Sequence, residues 1–341
     1  MTPSEIIPEN RPLIITVTLN PVLDRTLWVK NFRAGETFIA YRSENFAGGK
    51  GVNVSRALLK FRVPSIATGI IPKRGNEIYL ELLKRDGILH NFYFTEGFLR
   101  TNITIVSAGN KQETHIRVKG PYISEDTLKG FMKKLNMLFE KNFPVDKKNL
   151  DSDKKRSKST LNPICILSGS IPQGLGDDTY SKLIQYLKEK GVVVFFDSSG
   201  KPLKMGIAKK PYFIKPNLEE VRDALGFLPD SDADIRKAFD LFHRIGIEQV
   251  MITRGKDGLL FSKGNEIINA YLRVDNPKNT VGSGDAALAG GVLGYILDMD
   301  TIETAKLACA LGAANTLKAG ACRFSKDEAY NFIKKVTIAK W

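Results

Sequence analysis

The segment Val281-Gly282-Ser283-Gly284-Asp285 sets two glycines and a serine directly before a carboxylate. A run of small residues, Ala286, Ala287, Ala289, Gly290 and Gly291, follows. Glycines let a backbone approach a ligand closely, and the free N–H groups of a helix N-terminus attract anions. Such a turn suits a phosphoryl group held by Gly282, Ser283 and Gly284, with Asp285 taking a proton from an attacking hydroxyl. The local alternative is an Asp N-cap after a glycine turn. A bare GxGD also occurs often by chance.

Other segments add candidate groups. Phe46–Ser55, FAGGKGVNVS, surrounds Lys50 with Gly48, Gly49 and Gly51 and delivers Asn53. It suits a polar, anionic, hydroxyl-bearing ligand, but it is not a Walker A loop. A glycine turn packing a helix close to a strand is the plainer reading. Thr18–Asp24, TLNPVLD, brings Asp24 to the end of the first strand, where it can accept hydrogen bonds from sugar hydroxyls or sit in a Pro turn. Ile214–Glu220, IKPNLEE, ends a strand at Lys215 and spaces Asn217 and Glu220 three apart. That pair can hold magnesium waters from one helical face or form a capping box, and local chemistry favours the box. Ser168–Pro172, SGSIP, is a further small-residue loop after a buried strand. Arg100 offers either a phosphate clamp or a surface ion pair.

These segments need a scaffold that brings loops together. Short β-branched runs read as buried strands at Leu13–Leu19, Ile164–Leu167, Val192–Phe196, Tyr212–Ile214 and Gln249–Thr253. Apolar residues at three- and four-residue spacing predict helices over Gly51–Phe61, Asp177–Lys188, Asn217–Leu225, Asp232–Arg244, Ala286–Leu297 and Thr301–Leu317. This alternation implies an α/β fold with a mostly parallel sheet and helices on both faces. Ligands then bind at the carboxyl ends of the strands. Two stretches break the alternation. Residues 26–46 read as two strands around a turn at Arg33-Ala34-Gly35, and residues 100–118 as two more. They are expected to form a small sheet over one edge, or a plain edge hairpin.

The 341 residues, 43% of them hydrophobic, can bury a sizeable core in one large domain. The formal charge is +14, from 51 Lys+Arg against 37 Asp+Glu. Such a field draws anions, whether nucleic acid, anionic lipid or phosphorylated metabolites. Cys165, Cys309 and Cys322 form no CxxC pair and fit a reducing cytosol. His90, His115 and His243 lie far apart and suggest no zinc site. The N-terminus lacks the basic start and long apolar run of a signal peptide, and no stretch reaches the roughly 18 apolar residues of a membrane span. A cytoplasmic protein is expected. Residues 144–160, within PVDKKNLDSDKKRSKST, read as a solvated basic loop; without interleaved aromatics they make a poor nucleic-acid arm.

Taken in order, the segments TLNPVLD, AGGKGVNVSRAL, RTNITI, SGSIPQG, DSSG at 197–200, KPNLEE and VGSGDAALAGG resemble the ribokinase-like sugar kinases of the PfkB family. The likeness is to the branch of 1-phosphofructokinases and tagatose-6-phosphate kinases and spans about residues 13–336. It implies a single ribokinase-like domain over 1–341, with a three-layer α/β/α core and a small β-sheet lid from about 26–46 and 100–118. It implies ATP and Mg²⁺ as cofactors and a ketohexose phosphate as acceptor. Fructose 1-phosphate is the expected acceptor, with tagatose 6-phosphate and fructose 6-phosphate as alternatives.

By the same resemblance, Asp285 is the general base and Gly282, Ser283 and Gly284 stabilise the transferring phosphoryl. Asp24, Gly48, Gly49, Lys50, Asn53 and Ser168 line the sugar, and Arg100 with Lys50 holds its phosphate. Lys215, Thr253, Gly255 and Gly258 lie along ATP, Asn315 faces the adenine side, and Asn217 and Glu220 organise Mg²⁺ through water. A homodimer through the lid is implied, with no nucleic-acid or membrane partner. Two departures stand out. Thr253-Arg254-Gly255 replaces the commoner Ser-Leu-Gly, so that Arg254 either contacts a phosphate or faces solvent. His115–Pro121, HIRVKGP, replaces an asparagine-rich NxPGP. A basic nucleic-acid-binding protein is the rival from another class.

Overall fold

The computed structural model describes residues 11–109, 112–142 and 162–341. The basic segment 144–160 therefore lies outside the described residues. β1 (Ile14–Thr18) leads into β2 (Val22–Val29), β3 (Arg42–Gly48), α1 (Lys50–Lys60) and β4 (Ile66–Arg74). Next come α2 (Glu77–Arg85), β5 (Leu89–His90), β6 (Tyr93–Phe98), β7 (Thr101–Ser107), β8 (Gln112–Ile116) and α3 (Glu125–Asn142). Alternation then sets in: β9 (Ile164–Ser168), α4 (Thr179–Glu189), β10 (Val193–Asp197), α5 (Gly200–Ile207), β11 (Phe213–Ile214), α6 (Leu218–Leu225), α7 (Asp232–Ile245) and β12 (Gln249–Thr253). The chain closes with β13 (Leu259–Lys263), β14 (Glu266–Tyr271), α8 (Ser283–Ile296), α9 (Thr301–Asn315), α10 (Lys326–Ile333) and β15 (Thr337–Lys340).

An 11-stranded sheet runs β15-β14-β13-β12-β11-β10-β9-β1-β4-β5, with β6 also paired to β4. From β4 to β12 the pairings are parallel, while β13, β14 and β15 add an antiparallel edge. Period-2 alternation splits each central strand between two cores. Ile14, Ile164, Ile166 and Phe195 face α1, α8, α9 and α10. Ile15, Cys165, Leu167, Val194 and Phe196 face α3, α4, α5, α6 and α7. Strands buried on both faces are largely apolar, and β1, β9, β10, β11 and β12 match the expected β-branched runs; β4, whose run holds Thr68, Gly69 and Pro72, was not expected. The result is the expected α/β/α layering.

The small residues after Asp285 let α8 lie close to α9. A Cβ at Gly290 would come within 2.5 Å of the Ala308 backbone.

Four strands leave this sheet and form a second one, in the order β3-β2-β7-β8. β2 and β3 are antiparallel, and the expected turn falls at Ala34–Gly35 inside a longer connection, residues 30–41. β7 and β8 form the second hairpin, and the two hairpins join through a parallel β2–β7 pair.

Candidate active site

Two helices start on glycines with left-handed backbones and no side-chain cap. These are α1 at Gly49 (φ 126°) and α8 at Gly282 (φ 89°). Only glycine adopts such angles without strain, and space is also lacking. A Cβ would lie 2.6 Å from Thr18 at Gly49 and 2.5 Å from Ala321 at Gly282. Val52 N–H in the first turn of α1 donates to Thr18 Oγ1, and Ser283 N–H of α8 donates to Thr280 O, each at 3.2 Å; the other first-turn N–H groups can meet an anion. The sequence suggested a helix from Ala286; the structure begins α8 at Ser283. Asp285 is thus inside the first turn and is not an N-cap. The first turns of the two helices touch: Asn53 Nδ2 donates to Asp285 Oδ2 at 2.8 Å. Asp285 is 5% exposed, and burial pushes its carboxyl above the ordinary aspartate range, against the pull of Lys50.

Sequence reading assigned no role to Asp197, yet it joins the parts of the site. It ends β10 and is 1% exposed. Lys50 Nζ donates to its Oδ2 at 3.2 Å, and Lys215 Nζ lies 3.3 Å from Oδ1. Burial favours the neutral acid, but Lys215 and Lys50 hold the carboxyl below its usual range. Asp197 in turn raises the Lys50 ammonium. Lys215 Nζ would stand 3.1 Å from a Cβ at Gly284, so it lies against the glycine loop. The available signal was an acid closing the apolar run VVVFFD.

On the other side of Asn53, Asp24 accepts from Asn102 Nδ2 at 3.0 Å and lies 3.6 Å from Arg117. Its carboxyl is raised by burial, against the Asn102 hydrogen bond. A Cβ at Gly48 would collide with Asp24 Oδ2. Asp24, Gly48, Asn53, Arg117, Asn279 and Val281 are among the residues lining a cleft of about 780 Å³ between the small sheet and the loop before α8. Two expected substrate contacts differ from expectation. Arg100 spends its guanidinium on three carbonyls, those of Asn20 (2.7 Å), Val118 (3.2 Å) and Pro21 (3.3 Å), and so stitches the small sheet to the β1–β2 loop. Ser168 is fully buried and donates to Asp197 Oδ2 at 3.2 Å, beneath the site rather than in it.

The third group sits on the adjoining strand ends. Asn217 and Glu220 form the capping box of α6, each side chain accepting from the other's backbone N–H at 2.8 and 2.9 Å. Burial and Asp197 both raise the Glu220 carboxyl. The Thr253 N–H donates to Pro216 O at 3.0 Å, joining this loop to the end of β12. Thr253 also pairs with Asn217 as a parallel β-bridge. Gly255 opens a 3-10 turn, Gly255–Asp257, and Gly258 closes it at a point where a Cβ would collide with Ala270 O. Arg254 is half-buried, and its Nη2 donates to Asn269 Oδ1 at 2.7 Å and to Asp257 O at 3.0 Å. Asn315 also differs from expectation. It is 1% exposed and lies under the glycine loop, donating to Val281 O and Ser283 Oγ at 3.0 Å and accepting from Cys322 N. It positions the loop instead of facing a base.

Among the described residues, no cluster of three or more His, Cys, Asp or Glu could cage a metal. Mg²⁺ needs no such cage, since it keeps several waters and is held by one or two carboxylates plus substrate phosphates. Glu220 fits this use, because only one of its carboxylate oxygens is engaged in the capping box.

Two glycine-started helix ends, two paired lysines and a buried carboxylate beside a cleft make a site for moving a phosphoryl group onto a hydroxyl. The pfkB family carbohydrate kinase profile matches residues 18–328, and the chain belongs to that family. Its members are phosphotransferases that act on a sugar hydroxyl and use ATP with Mg²⁺. The chain is 31% identical to a 1-phosphofructokinase of Borreliella burgdorferi over 92% of its own length and 94% of the relative's. It is 29% identical to a tagatose-6-phosphate kinase of Staphylococcus epidermidis, over 96% and 99%. Among solved structures, a Thermotoga maritima protein described as a possible 1-phosphofructokinase superposes with a TM-score of 0.81 at 26% identity, covering 96% of this chain and 99% of that one. No helix among the described residues is long and apolar enough to cross a membrane.

Proposed function

We propose that this chain transfers the γ-phosphoryl group of ATP to fructose 1-phosphate, giving fructose 1,6-bisphosphate. The observation that carries phosphoryl transfer is the contact of the two glycine-started helix ends, with Asp285 held by Asn53 at 2.8 Å. The relative named 1-phosphofructokinase supports the choice of acceptor. Tagatose 6-phosphate is the second reading, supported by the relative named for it.

In this reading Asp24 and Asn53 hold sugar hydroxyls beside Gly48 and Gly49. Asp285 accepts the proton of the attacking hydroxyl, and its raised affinity for protons suits that task. The N–H groups of Gly282, Ser283 and Gly284, with Lys215, stabilise the charge spreading over the transferring group. Asn217, Thr253, Gly255 and Gly258 line the nucleotide side. Bound Mg²⁺ would supply charge neutralisation between the phosphates, and Glu220 would hold its water. Lys50 remains 40% exposed in its side chain, open to an acceptor phosphate. Arg100 acts by fixing the small sheet over the acceptor.

We read the small sheet as a lid and the whole chain as one kinase domain working in the cytoplasm, where the buried free thiols Cys165, Cys309 and Cys322 would stay reduced. The exposed apolar residues Ile39, Tyr41 and Ile116 on or beside that sheet favour pairing with a second copy.

A coupled assay across fructose 1-phosphate, fructose 6-phosphate, tagatose 6-phosphate, fructose and ribose tests the acceptor. The highest kcat/KM is expected with fructose 1-phosphate. Preference for tagatose 6-phosphate would install the second reading, and equal or better turnover of ribose would remove both.

A further inference from the structure

Asn53 has two chemically different ends, and a neighbour decides which way it faces. Arg56 is 3% exposed and lies three residues further along α1, on the same helical face. Its Nη1 donates to Asn53 Oδ1 at 2.8 Å. A guanidinium has five donors and no acceptor, so the amide atom turned towards it must be the oxygen. The NH₂ end is thereby turned to Asp285. A reversed amide would set oxygen against carboxylate and NH₂ against guanidinium, and both contacts would repel.

Arg56 is itself tightly held. Nη2 donates to Ala47 O at 2.7 Å, and Nε to Asp86 Oδ2 at 3.0 Å. Nη1 also reaches Ala321 O at 3.4 Å. Asp86 takes both Nη groups of Arg323 at 2.9 and 3.0 Å, which fixes the carboxylate in turn. Ala47 belongs to β3, one residue before Gly48, and Ala321 is the residue that leaves no room for a side chain at Gly282. One buried cation therefore touches the root of the small sheet, the loop behind Gly282 and the hydrogen-bond partner of Asp285.

We propose that Arg56 is a positioning residue for phosphoryl transfer: it locks the Asn53 amide so that N–H, not oxygen, faces Asp285 and keeps that carboxylate ionised and aligned. This rests on Asp285 being the base. Arg56 touches no reacting atom. It acts only through Asn53, whose donated hydrogen bond works against the burial that raises the Asp285 carboxyl.

The test is a double-mutant cycle of Arg56→Met and Asn53→Ala, with kcat and kcat/KM measured across pH. Arg56→Met should lower kcat about 10- to 100-fold, with KM for ATP changed less than about threefold. Its acid limb of kcat/KM should move to higher pH, as should that of Asn53→Ala. Adding Arg56→Met to Asn53→Ala should cost less than about threefold more, because the two act as a unit. Equal losses in both backgrounds, or a lower melting temperature with an unmoved acid limb, would overturn the proposal. If Arg56→Met does not fold, Arg56→Lys enters the same cycle and is read the same way. Asp285→Asn separates the two ideas. If it is active, the base assignment fails; if it is inactive and the cycle is additive, only the role of Arg56 fails.

Discussion

Lys50 and Lys215 reach opposite oxygens of one carboxylate, Asp197 Oδ2 at 3.2 Å and Oδ1 at 3.3 Å. Asp197, together with Asp285 and Glu220, raises the Lys50 ammonium. Two ammoniums thus stand among three carboxylates beside the glycine loop, where they can meet phosphate oxygens.

Removing Asp197 strands Lys215, whose side chain is 5% exposed. Breaking a buried pair costs about 3–5 kcal/mol, because the remaining charge is left without a partner. Asp197→Ala should lose stability of that order in urea unfolding. Saturating ATP with Mg²⁺ should restore part of it, since the phosphates replace the missing negative charge. An unchanged unfolding midpoint would show that the two lysines do not need Asp197.

Asp285→Asn keeps the shape of the side chain and removes the base. The expected loss in kcat is about 10²- to 10⁴-fold, the usual contribution of a positioned general base. ATP affinity, measured by calorimetry, should stay within a few-fold of the parent. Near-normal turnover would take the proton-abstracting role away from Asp285.

The same residue sets a pH dependence with a definite sign. Its carboxyl is raised by burial, so the folded state favours the protonated acid. Stability from this group is full below the ordinary aspartate pKa and is lost as pH rises through the folded value. Catalysis runs the other way, since only the ionised form abstracts a proton. The acid limb of kcat/KM should therefore lie above the ordinary aspartate range. Asp285→Asn should melt higher than the parent at pH 8, with the gain disappearing at low pH. A gain that grew on acidification would reverse the assigned direction.

Gly48 touches Asp24 with no room to spare. A Cβ there would overlap Asp24 Oδ2, so Gly48→Ala must displace that carboxylate. The variant should raise KM for the sugar acceptor about tenfold or more while leaving ATP affinity near that of the parent. Equal loss for both ligands would place Asp24 outside the acceptor side.

Local patterns were legible where one residue's surroundings decide its state. β12 falls on Gln249–Thr253, as its apolar run implied. The N-x-x-E spacing at Asn217 and Glu220 produced the capping box that its chemistry favoured. Pairings set by distant contacts were not legible. The parallel β2–β7 pair joins Leu23 to Thr101, and no local signal announces it. Side-chain roles failed for the same reason. Arg100 and Asn315 carry ligand-binding chemistry by type, but Arg100 donates to three carbonyls and Asn315 bonds Val281 O, Ser283 Oγ and Cys322 N–H, and only the fold brings these partners close. Nothing local marked Asp197, because Lys50, one of its two partners, lies 147 positions away in the chain.

The contact between Asn53 and Asp285 crosses 232 positions of the chain. During synthesis the acceptor-side groups Asp24, Gly48 and Lys50 leave the ribosome long before Ser283 and Asp285 exist. With the proposed roles, a nascent chain halted anywhere before α8 would carry acceptor-side residues with no base beside them. Order of manufacture would then rule out premature phosphoryl transfer, each molecule becoming competent only when α8 closes on α1.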